Sequence, residues 1–155
     1  MKFLYHHLWL KPQDVQAIVF WTRFPRPLLP FLSEIERMGH RFYFQYTLNN
    51  YPRSLETHTP PLEDAVRAFC DLAQQIGAER VVWRYDPILL SPLTSPEFHR
   101  QNFTQIAQSL QGSTHRCVVS LYDPYTKIRS RMKKALQCDL SQPDPARKQQ
   151  IAPLL

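Results

Sequence analysis

Glycine is scarce in these 155 residues, with three copies, and cysteine is as scarce, also with three. Cys70, Cys117 and Cys138 form no CxxC or CxxxCxxC pattern. No metal or iron–sulfur cluster can therefore be assigned to ligands within this chain. An odd cysteine count without a signal peptide points to reduced thiols and a cytoplasmic protein. No apolar run approaches the length of a membrane span, so no membrane partner is expected. The start of the chain has neither the apolar core nor the small-residue cleavage site of a secretory signal. What is present is a globular composition, 43% hydrophobic and 12% aromatic. The length suits a single domain with a real core. The net charge of +6 permits nucleic acid or another anionic partner, and it equally describes a solvated basic surface.

The few glycines organise the chain. Gly39, Gly77 and Gly112 each follow a helix-like pattern and precede a strand-like run. Glycine is favoured just past a helix end because it takes the left-handed conformation cheaply. Their nearly even spacing matches one helix-plus-strand unit. Residues 3–10 carry a weak strand signal. The first clear strand is Val15 to Thr22, continuously apolar from Ala17 to Trp21, as in a strand covered on both faces. A helix is expected from Pro27 to Met38, with Leu28, Phe31, Leu32, Ile35 and Met38 as its apolar stripe. Arg41 to Leu48 reads as the second strand. A long polar connection from Asn49 to Thr59 leads to a helix starting near Pro61, with Leu62, Ala65, Val66, Phe69, Ala73 and Ile76 inward. The strand Arg80 to Ile88 follows, then a loop and a helix with Phe103, Ile106, Ala107 and Leu110 inward. The fourth strand is His115 to Asp123, and a basic helix follows over residues 125–136.

Alternating strands and helices imply an α/β fold with a parallel sheet of βα units and right-handed crossovers. Four strands do not close an eight-stranded barrel, so the expectation is a small open sheet or a piece of a (β/α) TIM-like barrel. Ligands in such folds sit at the C-terminal strand ends. Those ends read Thr22 and Arg23, Gln45 and Thr47, Arg84, Tyr85 and Asp86, and Ser120, Tyr122 and Asp123. The helix-to-strand connections are short and plain. This asymmetry nominates Thr22, Arg23, Gln45, Thr47, Arg84, Tyr85, Ser120 and Asp123 as ligand-binding residues for a small molecule or nucleotide-like ligand. Arg84 has the planar fork for a carboxylate or phosphate. Asp86 orients Arg84 or accepts from a sugar hydroxyl, and Glu56 is a general base or hydroxyl acceptor. A structural ion pair for Arg84 and Asp86, and a surface role for Glu56, stand beside these readings. His6 and His7 are adjacent and point to opposite strand faces, and no metal site is expected from the histidines. His99 is a weaker site candidate. Trp21 and Trp83 read as core or pocket wall rather than base-stacking platforms. The basic helix is a solvated face or a nucleic-acid contact.

Several blocks occur in a specific order: Ala17 to Thr22 (AIVFWT), Pro27 to Pro30 (PLLP), Phe42 to Thr47 (FYFQYT), Tyr51-Pro52, Leu55-Glu56, Pro60 to Glu63 (PPLE) and Val82 to Ile88 (VWRYDPI). In these blocks the chain resembles the bacterial domain of unknown function 1848 family, over roughly residues 8–155. Members are longer at both ends and carry a cysteine-rich C-terminal segment. The resemblance therefore implies a single domain over 1–155 that is incomplete at both ends relative to the family. The family in turn is similar to radical S-adenosylmethionine enzymes of the DNA-photoproduct-lyase type. That likeness implies S-adenosylmethionine and an iron–sulfur cluster as cofactors of full-length relatives. Arg23 stands where those enzymes have lysine, and Thr57 where they have a proline after glutamate. The resemblance thus implies an enzyme domain of radical-S-adenosylmethionine type whose cluster ligands lie outside this chain. The alternative is a non-catalytic binding domain for a nucleotide-like or other anionic ligand, or an inactive fragment.

Overall fold

The computed structural model describes residues 11–122. Asp123, the basic helix over 125–136, Cys138, His6, His7 and the weak strand at 3–10 lie outside the described residues. Within them the order is β1 (Ile18–Thr22), α1 (Leu32–Arg37), β2 (Phe42–Thr47), α2 (Leu62–Ile76), β3 (Val81–Ile88), α3 (Pro96–Ser109) and β4 (Cys117–Leu121). The strands form one four-stranded sheet in the order β1-β2-β3-β4, and every pairing is parallel.

A strand's period of two deals alternate residues to opposite faces of the sheet. Phe42, Phe44 and Tyr46 of β2 face the helices, and so do Val81, Trp83 and Tyr85 of β3. They meet Leu32 of α1, Phe69, Leu72 and Ile76 of α2, and Ile106 of α3. Aromatic contacts join the layers: Tyr46 lies 5.1 Å from Phe69, and Trp83 stacks on Phe103 at 4.7 Å. All three helices therefore pack on one face of the sheet. The other face carries Trp21, Gln45, Thr47, Arg84, Asp86 and Ser120, and no described helix covers it.

The helix ends follow local chemistry. α2 begins after Pro61 with Glu63 and Asp64 in its first turn, where the helix dipole favours carboxylates. It ends at Gly77, whose φ of 95° is costly for any residue with a Cβ. Ser95 caps α3, its hydroxyl accepting from the Phe98 amide at 3.2 Å.

Two expectations need correction. The helix expected over Pro27 to Met38 is a 3-10 turn at Leu29–Phe31 followed by the six-residue α1. Pro30 lacks an amide hydrogen and disfavours helical geometry in the residue before it, so the α-helix starts only beyond it. Of the expected stripe, Leu32 is buried while Phe31 and Met38 are exposed. The apolar run of β1 is also not covered on both faces. β1 is the end strand of the described sheet, and Val19 and Trp21 are exposed on its helix-free side. Continuous apolarity reports composition, not which neighbour covers a face.

Candidate functional site

Arg84 and Asp86 stand two residues apart in β3 and so share the helix-free face. The Arg84 guanidinium lies across β2. Its Nη1 donates to Gln45 Oε1 at 2.5 Å, and its Nε donates to Asp86 Oδ2 at 2.9 Å. Nη2 donates to the same carboxylate oxygen. The other oxygen, Oδ1, accepts from the Ser120 hydroxyl of β4. The far side of the guanidinium rests on the Trp21 ring of β1, 3.9 Å from its centroid. The Trp21 indole N–H donates to Thr47 Oγ1 at 3.2 Å. One network therefore crosses all four strands. The Arg84 and Asp86 side chains are only 13% and 14% exposed. An ion pair that far from water is tolerated only when its remaining valences are met, as Gln45, Trp21 and Ser120 do here.

The connection after β2 adds the second half of the site. Asn50 takes a left-handed conformation (φ 51°), which asparagine tolerates better than most residues. This turn sends Asn49 back toward β3, where its amide pairs with the Asp86 backbone. Asn49 Oδ1 accepts from the Asp86 amide at 2.8 Å, and Nδ2 donates to the Asp86 carbonyl at 2.9 Å. Nδ2 also lies 3.4 Å from Glu56 Oε1. Glu56 in turn forms an ion pair with Arg23, at the end of β1. Asn49 thus links the Arg84–Asp86 pair to the Arg23–Glu56 pair. Beside it opens a cavity of about 320 Å³, lined on its polar side by Arg23, Thr47, Asn49, Arg53 and Glu56 and on its apolar side by Tyr51, Pro61, Leu62, Ala65 and Phe98. A wider cleft of about 690 Å³, bounded by Phe24, Leu55 and His58, lies against the same Arg23–Glu56 pair.

Behind the sheet a buried polar network holds this loop. His99 is fully buried. Its Nε2 donates to the Leu89 carbonyl at 2.9 Å, which leaves Nδ1 to accept from the Tyr85 hydroxyl at 2.8 Å. Burial pushes the His99 pKa down, consistent with a neutral ring, and pushes the Tyr85 phenol up to about 12. Asn102 Nδ2 donates to the Tyr85 hydroxyl at 3.1 Å and to the Asn49 carbonyl at 2.7 Å, while its Oδ1 accepts from Asn50 at 2.7 Å. The Tyr51 hydroxyl donates to the Pro87 carbonyl at 2.6 Å and accepts from the Leu89 amide at 3.0 Å. Burial raises the Tyr51 pKa, so it stays a donor. The two asparagines of the turn and the segment following Asp86 are therefore fastened from behind by α3.

The structure brings Gln45, Thr47, Arg84, Asp86 and Ser120 onto one face, and brings Arg23 and Glu56 to the cavity beside it. It does not bring Tyr85 there. Tyr85 is fully buried on the helix side, as the alternation with Arg84 and Asp86 requires. Thr22 also turns away from that face, and its hydroxyl accepts from the Phe24 amide at 2.9 Å to close the turn after β1. Asp123 lies outside the described residues. Sequence reasoning missed Asn49 as the link between the ion pairs, and it set Trp21 among core and pocket-wall residues. Two adjacent asparagines directly after a strand were the available signal for the first. His99 enters as a support for the loop rather than as a group at its surface.

Among the described residues no cluster of histidine, cysteine, aspartate or glutamate side chains could hold a metal ion. Cys70 lies on α2, where its sulfur accepts from Ser113, and Cys117 lies on β4. No helix of the described residues is long and apolar enough to cross a membrane. Searches of curated proteins and of solved structures return no match. The family described as a domain of unknown function (DUF1848) matches residues 3–155, nearly the whole chain. The chain, with its strand-spanning Arg84 network and its Asn49-linked cavity, belongs to the DUF1848 family.

Proposed function

We propose that the chain binds a small zwitterionic ligand at the C-terminal strand ends, with S-adenosylmethionine the representative of that class. The observation that carries this reading is the state of the charges. Both site arginines are already compensated, Arg84 by Asp86 and Arg23 by Glu56. A bare polyanion would have to compete with those carboxylates. A molecule that carries an ammonium beside its carboxylate need not. Hydrogen bonds from described residues to the Glu56 carboxylate fall on Oε1, leaving Oε2 able to accept from an ammonium. Arg53, on the same cavity wall, reaches only the carbonyls of Thr57 and Thr59 among the described residues, and it retains its charge for a carboxylate. The apolar wall of Tyr51, Pro61, Leu62 and Phe98 suits the aliphatic part of such a ligand.

Asp86, consumed by Arg84 and Ser120, is a positioning residue in this reading. Glu56 is the group with capacity to take up a proton or an ammonium. The described residues do not fit an iron–sulfur cluster, since no set of histidine, cysteine or carboxylate side chains among them converges. The sequence-ordered parallel sheet with helices on one face suits a larger (β/α) barrel, whose interior would be the helix-free face.

Calorimetric titration of the full chain with S-adenosylmethionine, methionine, ATP and inorganic phosphate tests the reading. Saturable binding of S-adenosylmethionine and methionine is expected, weakened about 10-fold or more by Arg53→Ala and by Glu56→Gln. Absence of saturable binding at millimolar concentration removes it. Binding of ATP and phosphate that needs Arg53 but ignores Glu56→Gln would replace it with an anion-binding domain.

A further inference from the structure

We infer that Trp21 is a stacking platform for a planar heteroaromatic ring of the nucleobase type, placed next to the charged cavity. The inference deepens the ligand reading above and rests on it for the location of the ligand.

Trp21 is 63% exposed, an unusual position for the largest apolar side chain in a strand. An exposed indole is ordinarily free to turn. This one is held at two points. Its N–H donates to Thr47 Oγ1 at 3.2 Å, and one ring face is covered by the Arg84 guanidinium. The ordering cost that a stacking partner would impose is therefore already met within the protein.

The surroundings match a base more closely than an aliphatic group. Arginine has only donors, so the Gln45 atom facing Arg84 is Oε1, and among the described residues Nε2 meets no acceptor and keeps its hydrogens for a ligand. Such an acceptor is what a base edge offers next to a stacked ring. Phe24, 51% exposed, sits just beyond the end of the same strand and lines the wider cleft. Thr47, the anchor of the indole, also lines the 320 Å³ cavity. A ligand with a ring on Trp21 and a zwitterionic end at Glu56 and Arg53 would thus bind across adjoining surfaces.

Adenosine, which has the ring and no charged end, isolates the stacking contact. Its titration is followed by quenching of indole emission and by calorimetry. The variants are Trp21→Phe, which keeps a smaller ring, and Trp21→Leu, which keeps apolar area without one. Both should fold, because the side chain contributes little to the core, and circular dichroism checks this. Saturable quenching is expected in the wild type and its loss in Trp21→Leu. The affinity should fall on the order of 10-fold or more in Trp21→Leu and only about 3-fold in Trp21→Phe. Adenosine that fails to bind the wild type, or that binds Trp21→Leu as tightly, overturns the inference. Methionine, which has the charged end and no ring, keeps the two failures apart. If methionine binds and adenosine does not, the zwitterion reading stands and stacking falls. If adenosine binds through Trp21 and methionine does not bind, the reverse holds.

Discussion

The two faces of the sheet carry polar networks of opposite character. Behind it, Tyr85, His99 and Asn102 are buried, and both Nδ2 hydrogens and the Oδ1 of Asn102 and both ring nitrogens of His99 are engaged. In front of it, Arg84, Asp86, Gln45 and Ser120 are also connected, but among the described residues the front ends in groups with capacity to spare: Gln45 Nε2, Glu56 Oε2 and the face of Trp21. A network closed on itself fixes a loop. A network with open ends can receive a ligand. The same eight-residue strand supplies both, because Tyr85 points one way and Arg84 and Asp86 the other.

The sharpest way to break the comparison is Asn102→Ala. It removes one of the two partners of the Tyr85 hydroxyl together with the partner of the Asn49 carbonyl and of the Asn50 side-chain amide, and leaves that buried carbonyl unpaired. A loss of about 3 kcal/mol is expected, read by urea unfolding. A loss below about 1 kcal/mol would mean that the rear network is not what holds the loop. On the front face, Arg84→Met strands the Asp86 carboxylate and should cost about 2 kcal/mol, less than for a fully buried pair because some water reaches both groups. Adding Asp86→Leu should recover at least half of that loss in the same urea unfolding, because it removes the stranded carboxylate.

A smaller effect is expected from pH. The His99 pKa is held below its ordinary value near 6.5 in the folded chain, and burial is the main cause. Below that value the unfolded chain binds a proton that the folded chain refuses. His99 therefore contributes stability above about pH 6.5 that is lost progressively as the pH falls through 6 and 5. Stability curves between pH 7.5 and 5 should be steeper for the wild type than for His99→Gln, and equal slopes would contradict the assignment. The smallest effect is assigned to Arg23→Ala. The Arg23 side chain is 43% exposed, so breaking its pair with Glu56 should cost below about 1 kcal/mol. Methionine affinity should change more than melting temperature does.

Much of this arrangement is legible in the amino-acid sequence. The alternation of strand and helix and the stop signals at Gly39, Gly77 and Gly112 follow from local patterning, and all three glycines do take positive φ. The separation of Arg84 and Asp86 from Tyr85 was legible too, since the strand period alone requires it. Listing Tyr85 with its neighbours ignored that period. The exposure of Trp21 was not legible, because a run of apolar residues reads the same in an end strand and in a covered one. Pro30 stands inside the expected first helix, and the apolar stripe around it does not show that the α-helix begins only beyond it.

Local covalent geometry accounts for what the chain determined by itself: which residues alternate, where helices end, and which polar groups gather at the strand ends. The tertiary structure alone decided which of those groups meet. Arg23 finds Glu56 across 33 positions, Ser120 finds Asp86 across 34, and Asn49 finds the Asp86 backbone across 37. These contacts depend on the register of parallel strands and on one left-handed turn at Asn50. Neither is encoded in the spacing of residues along the chain. Both are selected when the helix face of the sheet buries its aromatic rows and fixes how the strands align.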